Sequence, residues 1–436
     1  MKKPVESAPK LELAKSMSML EDAYRLTPGG VGGIRRPYNF VVGEYPVFIT
    51  HGKGGHIFDV DGNEYVDLVC ALMPVVLGYR DPDVDEAVRR QLTKGISFSL
   101  ATTLEADLAE RLVDLIPCAE MVRFGKNGTD ATSATIRLAR AYTGRDRVMV
   151  CGYHGWQDWY IGATARSKGV PERVRALTHM VPYNDLDAVA TLFSRYKGEF
   201  AAIIIEPMNS AEPGPGFLQS LKDIAHENGA LLVFDEVITG FRFALGGAQA
   251  LFGVTPDIAA FGKALGNGMP ISAVVGRAEI MAQMEEIFFS GTFGGEALSI
   301  AAAIAVLDKM RREPVIDTLW RTGTVLADGA RERIRRHGLE GVIALNGKAP
   351  WTILAFTDQP NARKDAIRTL FLREMLAHGI LMISGHDVCY AHNAADCERI
   401  LRAYDEVLPI VTAEIATGAL EERLGIPPIA PIFRVR

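Results

Sequence analysis

Residues 231–270, LLVFDEVITGFRFALGGAQALFGVTPDIAAFGKALGNGMP, constrain this chain more than any other stretch. The opening run Leu231, Leu232, Val233 and Phe234 is too short for a helix and suits a strand buried on both faces of a parallel sheet. Asp235 and Glu236 follow at once. In an open α/β sheet ligands sit beyond the carboxyl ends of the strands, so an acid directly after such a run is aimed into a candidate site. Downstream, Lys263 is a single cation set among Ala259, Ala260, Phe261, Gly262, Ala264, Leu265 and Gly266. Partial desolvation there favours the neutral amine, the form that attacks a carbonyl.

An acid at a strand end and a sheltered lysine are the two protein groups that pyridoxal phosphate chemistry requires. The lysine attaches the cofactor, and the acid keeps the pyridine nitrogen protonated so that the ring withdraws electrons. Taken singly, each residue is better read as structure: Asp235 as one half of a buried ion pair with an arginine, Lys263 as a surface residue at a glycine turn. The other motifs have to decide.

Composition narrows the class. The 436 residues, 48% hydrophobic and 23% charged, suit a globular chain with two cores or one large core and appendages. A formal charge of -6 gives no electrostatic footprint for nucleic acid or an anionic membrane. No apolar run reaches the length of a membrane span, and the first twenty residues lack the continuous apolar core of a secretory signal. The five cysteines, Cys70, Cys118, Cys151, Cys389 and Cys397, are scattered and contain no close pair. That pattern fits free thiols in a cytoplasmic protein and argues against a structural zinc site, so no metal is expected.

Along the chain, residues 11–26 have helical periodicity and residues 28–33 form a glycine-rich turn followed by Arg35 and Arg36. Residues 56–67 read as a hairpin around Asp61 and Gly62. From about residue 83, helical segments at 83–92, 103–115 and 131–143 alternate with apolar runs at 121–124, 148–151, 201–205 and 231–234. Strands spaced by helices predict a mostly parallel sheet covered on both faces. After the helix at 297–310, residues 313 onward have their own alternation, with a strand at 351–356 and a last helix at 394–408. The expected organisation is an N-terminal segment 1–55, a large α/β domain 56–310 and a smaller α+β domain 311–436.

Four further motifs lie at predicted strand ends or helix starts. Lys126, Asn127, Gly128 and Thr129 lead from a strand into a helix, where free amides, the Thr129 hydroxyl and Lys126 suit a phosphate. An ordinary helix capped by Thr129 reads equally well. Tyr153, His154, Gly155 and Trp156 follow the next strand, and Tyr153 is placed to stack on a planar cofactor, although core packing is the commoner use of such a ring. Glu206 and Pro207 put another carboxylate at a strand end. Ser290, Gly291, Thr292, Phe293, Gly294 and Gly295 precede a helix and make either a second phosphate contact or another capped turn.

In this order the parts resemble the class III, fold-type I pyridoxal phosphate aminotransferases, nearest to the glutamate-1-semialdehyde 2,1-aminomutase branch. The likeness extends to Pro28-Gly29-Gly30-Val31, to the hairpin Asp59–Tyr65 region, to residues 136–146 and to Ala391-His392. It implies that Lys263 attaches the cofactor and moves protons, that Asp235 pairs with the ring nitrogen, and that Val237 and Tyr153 cover the two ring faces. Gly128 and Thr129 would hold the phosphate and Glu206 would support the ring. In the family Thr292 reaches the phosphate of the neighbouring subunit, which implies a homodimer with shared active sites.

The departures concern the reaction. The aminomutases carry a long glycine- and serine-rich gating loop after Tyr-His-Gly, whereas here a short interval holding Trp156, Trp159 and Gly169 leads to Pro182. A shortened gate suits a two-substrate, ping-pong aminotransferase, which takes nitrogen from an amine or amino-acid donor and gives it to a keto or aldehyde acceptor. The alternative is an intramolecular aminomutase. Arg36 is a candidate for a substrate carboxylate, and Trp156, with Trp159 and Tyr38, a candidate lining for a bulky substrate. Lys126 stands where the family has asparagine, Asn127 where it has serine, and Glu296 where it has asparagine.

Overall fold

The structure, a computed structural model, describes residues 11–32 and 43–429. Arg36, Tyr38 and the adjacent Arg35 lie outside the described residues. Contacts divide the described residues into two compact units: one gathers those of Met1–Leu72, Leu77–Arg80 and Asp317–Ile432, the other those of Met73–Val76 and Asp81–Ile316.

The first unit opens with the helix Ala14–Leu26 and the strands β1 (Ile49–Lys53), β2 (His56–Asp59) and β3 (Glu64–Asp67). β2 and β3 pair antiparallel, with Ile57 opposite Tyr65, as the hairpin pattern predicts. Its turn is held by Asp59, whose carboxylate accepts the Asn63 amide at 2.8 Å and the Tyr65 hydroxyl at 2.9 Å. At Gly62 φ is +96°, a region that favours glycine.

The second unit carries a seven-stranded sheet built from β4 (Met121–Gly125), β5 (Arg147–Cys151), β6 (Thr178–Met180), β7 (Phe200–Ile205), β8 (Leu231–Glu236), β9 (Ile258–Phe261) and β10 (Ser272–Gly276). The order is β4-β10-β9-β8-β7-β5-β6. β5, β6, β7, β8 and β9 run parallel, and β10 is antiparallel to both β9 and β4. β4 therefore points the same way as β9, and the carboxyl ends of β4, β5, β7, β8 and β9 share one edge. β7 and β8 are buried at every residue, which is why their sequences are continuous apolar runs rather than alternations. The antiparallel β10, whose five residues are also all buried, was not marked by the sequence pattern.

The first unit resumes with β11 (Ile343–Lys348), β12 (Trp351–Phe356), β13 (Ile380–Leu381) and β14 (Gly385–Asp387). β13 adds to β3 in parallel, while β11, β12 and β14 form an antiparallel sheet. The helix Ala394–Ala416 runs through Pro409 rather than stopping at residue 408. The missing proline N–H forfeits one helical bond, and the apolar side chains Val407, Leu408 and Val411, buried on either side of it, keep the helix going. Folding also brings Cys70, Cys389 and His392 together, buried, with their donor atoms within 4.8 Å of one another. Spacing could not show this, and one His392 nitrogen, Nδ1, already accepts the Cys389 amide at 3.0 Å.

Candidate active site

Asp235 and Glu236 are the last two residues of β8, and a strand sends neighbouring side chains to opposite faces. Glu236 is fully buried and accepts the Thr239 hydroxyl at 2.7 Å, the Ala248 amide at 2.6 Å and the Gln249 amide at 3.0 Å. Burial pushes its carboxyl above the usual range while these donors pull it back. Glu236 thus ties the strand to the following turn and leaves Asp235 to face the sheet edge.

Asp235 meets a cavity of about 180 Å³ at the shared carboxyl edge. Its carboxylate Oδ1 accepts the Val237 amide at 3.1 Å, and Oδ2 accepts Nδ1–H of His154 at 2.8 Å. An arginine was the sequence-level alternative for this partner, and a histidine from the end of β5 takes that place. His154 is 1% exposed, lies edge-on to Tyr160 with ring centroids 5.3 Å apart and is stacked near Trp159. The Tyr-His-Gly motif by itself gives His154 no role. Its only signal was adjacency to Tyr153 at a strand end.

Lys263 follows β9, the neighbour of β8, and lines the same cavity. Its φ is +42°, left-handed for a residue with a side chain, and it starts a short 3-10 turn, Lys263–Gly266. Such backbone strain costs about 1–3 kcal/mol and clusters where a side chain must be aimed.

The β4 end supplies Gly128 and Thr129 to the cavity wall. The helix Gly128–Thr143 is capped by Asn127, whose Oδ1 accepts the Asp130 amide at 3.0 Å, so Thr129 is not its cap. The helix packs close: a Cβ at Gly128 would sit 2.7 Å from Val237 Cγ1, and one at Gly155 would sit 2.4 Å from Thr129 Oγ1. Lys126 does not line the cavity and pairs with Glu296 at 3.0 Å.

Tyr153 and Glu206 complete the wall. Glu206, half-buried, accepts the Tyr153 amide at 3.1 Å. Burial pushes its carboxyl up to about 7, with the charge of Asp235 adding to the rise. Burial likewise raises the Tyr153 phenol.

The structure therefore gathers Gly128, Thr129, Tyr153, Glu206, Asp235, Val237 and Lys263 around one cavity. Thr292 and Trp156 are not on its wall: Thr292 is exposed on the turn before the helix Ala297–Arg312, and Trp156 is 65% exposed. The donor set fits pyridoxal phosphate. Helix amides and the Thr129 hydroxyl suit a phosphate at one end, a carboxylate suits a protonated ring nitrogen, and a lysine amine suits the aldehyde.

Comparison with known proteins adds three findings. The model of the family described as aminotransferase class-III matches residues 39–395. Among curated proteins, a 3-aminobutyryl-CoA aminotransferase of Cloacimonas acidaminovorans (strain Evry) is 40% identical over 412 residues, covering 92% of this chain and 98% of its own. A glutamate-1-semialdehyde 2,1-aminomutase of Francisella philomiragia subsp. philomiragia is 36% identical over 419 residues, covering 88% and 96%. Among solved structures, the PLP internal aldimine form of the FumI protein of Sphingopyxis sp. MTA144 superposes with a TM-score of 0.86 at 29% identity, covering 95% of this chain and 99% of that one.

Proposed function

The chain belongs to the class-III aminotransferases, and on that premise we propose how its pocket residues divide the work. It has the fold of the fold-type I pyridoxal phosphate transferases, and it moves an amino group from an amine or amino-acid donor to a carbonyl acceptor in two half-reactions. The observation that carries the assignment is the placement of Asp235 and Lys263 at the ends of adjacent parallel strands on one cavity wall.

When bound, pyridoxal phosphate supplies the aldehyde that takes up the nitrogen and the ring that draws electrons from the substrate carbon. Lys263 would hold the cofactor covalently through its amine and, once the donor's nitrogen has displaced that amine, would be the base placed to move the proton of the amine-bearing carbon. Asp235 holds the proton on the ring nitrogen, and His154 fixes that carboxylate in place. Gly128 and Thr129 hold the phosphate through helix amides and a hydroxyl. Val237 and Tyr153 would cover the ring, and Glu206 holds the Tyr153 amide.

The proposed donor carries its nitrogen on the β carbon of an acyl chain or further out. Support comes from the relative named for a 3-amino acyl thioester. The two-substrate course, as against the aminomutase, is supported by residues 156–180, which form the short helices Asp158–Ile161 and Glu172–Arg175 and the strand β6 where a gating loop would otherwise trap an intermediate. Arg36 and Trp156 are proposed to contact the substrate. A homodimer with shared sites is proposed as the working unit, with Thr292 serving the partner's phosphate; the exposed Phe288 and Phe293 on either side of Thr292 supply apolar surface for it. No helix among the described residues is long and apolar enough to cross a membrane, and the free, buried cysteines suit the proposed cytoplasmic location.

The test is a donor panel of 3-aminobutyrate, its coenzyme A thioester, 1-phenylethylamine, alanine and glutamate, with pyruvate and 2-oxoglutarate as acceptors. Release of keto product from donor alone, fastest with a β- or more remote amine, is the expected result. The aminomutase reading, kept alive by the 36% identical relative, is supported instead if glutamate-1-semialdehyde returns its isomer without net loss of amine.

A further inference from the structure

Lys126, which precedes the residues proposed to hold the phosphate, meets Glu296 in space. The turn between β4 and the helix Gly128–Thr143 is closed by Asp130, which accepts the amides of Lys126 at 3.0 Å and Asn127 at 3.2 Å. From that turn the Lys126 ammonium reaches Glu296 Oε2 at 3.0 Å, across 170 residues of sequence, with the side chains 20% and 10% exposed. Glu296 is itself held by the backbone of the helix it caps. As N-cap of the helix Ala297–Arg312 it accepts the Leu298 amide at 2.6 Å, the Ser299 amide at 3.2 Å and the Ser299 hydroxyl at 2.6 Å. Burial would raise its carboxyl, and the donors Ser299 and Lys126 outweigh that and hold it below the usual range.

We infer that Lys126 and Glu296 are a positioning pair that sets the phosphate-holding turn of this enzyme, an inference resting on the phosphate site proposed above. Asn127, Gly128 and Thr129, the residues immediately after Lys126, form one side of the cavity wall, while the lysine pairs with the helix cap. The amides that meet a phosphate thus inherit their position from a rod that begins elsewhere in the chain. A largely buried ion pair adds little net stability, because desolvation offsets its attraction, so geometry is the better account of its presence. The same pair ties this turn to the turn Ser290–Gly295 that carries Thr292 and ends where Glu296 begins.

Dissociation constants for pyridoxal phosphate and for pyridoxal, which lacks the phosphate, are to be measured by visible absorbance. The proteins compared are the full chain, Lys126→Met, Glu296→Gln and the double variant. Glutamine keeps an oxygen for the Leu298 amide, while its NH2 replaces the oxygen that accepts from Ser299 and Lys126, so the Lys126→Met variant, which leaves that cap intact, is the control for the loss of the pair itself. Each single change is expected to weaken pyridoxal phosphate by about tenfold, the double change by no more than about tenfold, and pyridoxal to stay within about twofold. Equal weakening of both ligands, additive losses in the double variant or unchanged binding throughout would overturn the inference. So would tighter pyridoxal phosphate binding in Glu296→Gln, since a released lysine would then be contacting the phosphate itself. A starting protein that binds the two ligands equally would instead remove the phosphate site, and this inference with it.

Discussion

Nδ1 of His154 donates to Oδ2 of Asp235 across 2.8 Å, from a ring that is almost wholly enclosed. A carboxylate only accepts, so the proton on Nδ1 is fixed by its partner. Replacing His154 with phenylalanine keeps much of the packing against Tyr160 and strips Asp235 of that donor. The expected cost is about 1–3 kcal/mol, or roughly 5–150-fold in kcat. Steady-state kinetics with saturating cofactor check it; a change within twofold would remove His154 from the mechanism.

Asp235→Asn keeps the shape of the side chain and removes the charge that holds the ring-nitrogen proton. Turnover should fall by about 10²–10⁴-fold, far more than the amount of cofactor retained per subunit. Comparing kcat with bound cofactor after dialysis separates the two, and parallel losses would contradict the assignment.

Lys263→Ala should abolish both the visible absorbance of the covalently held cofactor and turnover, with the fold intact by far-ultraviolet circular dichroism. Alanine at φ +42° retains the backbone strain, so no gain in Tm is expected. Retained turnover would refute the placement of the reactive amine.

Glu206 makes stability depend on pH. Its folded carboxyl is raised to about 7, so between the ordinary carboxyl range and pH 7 the folded state binds more protons than the unfolded chain. Stability contributed by this group is therefore greatest below about pH 4.5, falls as pH rises toward 7 and is level above it. The full span is on the order of 3 kcal/mol or less, reduced where solvent enters the cavity. Urea unfolding of the cofactor-free protein from pH 5 to 8.5 should show this slope and Glu206→Gln should flatten it.

Gly155→Ala combines two costs: φ at Gly155 is +100°, and the new methyl would lie 2.4 Å from Thr129 Oγ1. The strain alone is about 1–3 kcal/mol. Because the clash displaces the hydroxyl assigned to the phosphate, pyridoxal phosphate affinity should fall together with Tm, whereas a drop in Tm alone would detach Thr129 from that role.

What the sequence made legible was local. The apolar run before Asp235 and the polar corner at Gly128 and Thr129 each announce a strand end by residue type over a few positions, and parallel packing then places such ends along one edge; the small residues around Lys263 announce a sheltered amine, but not the strand β9 that precedes it. Partnerships across long separations were not legible. Asp235 and His154 are 81 residues apart, and Lys126 and Glu296 are 170 apart, so neither pair leaves a periodic trace. β10 was missed because its small and apolar residues, between a glycine turn and a short helix, lack both alternation and the flanking acid that marked β8. Of the two readings the sequence leaves open for Thr129, the capping one does not hold: Asn127 caps the helix Gly128–Thr143, since both residues favour helix starts and only the backbone conformation distinguishes them.

With the carboxyl ends of β4, β5, β7, β8 and β9 on a single rim, the strands β5, β7 and β8 begin on the far one, just after exposed residues such as Gly144, Asp146, Gly198, Glu199 and Gly229. Those bends are natural handles. A fluorophore, a surface tether or a short grafted peptide placed there would be separated from the reacting atoms by the whole length of the strands, leaving the chemistry undisturbed while the molecule is gripped from behind.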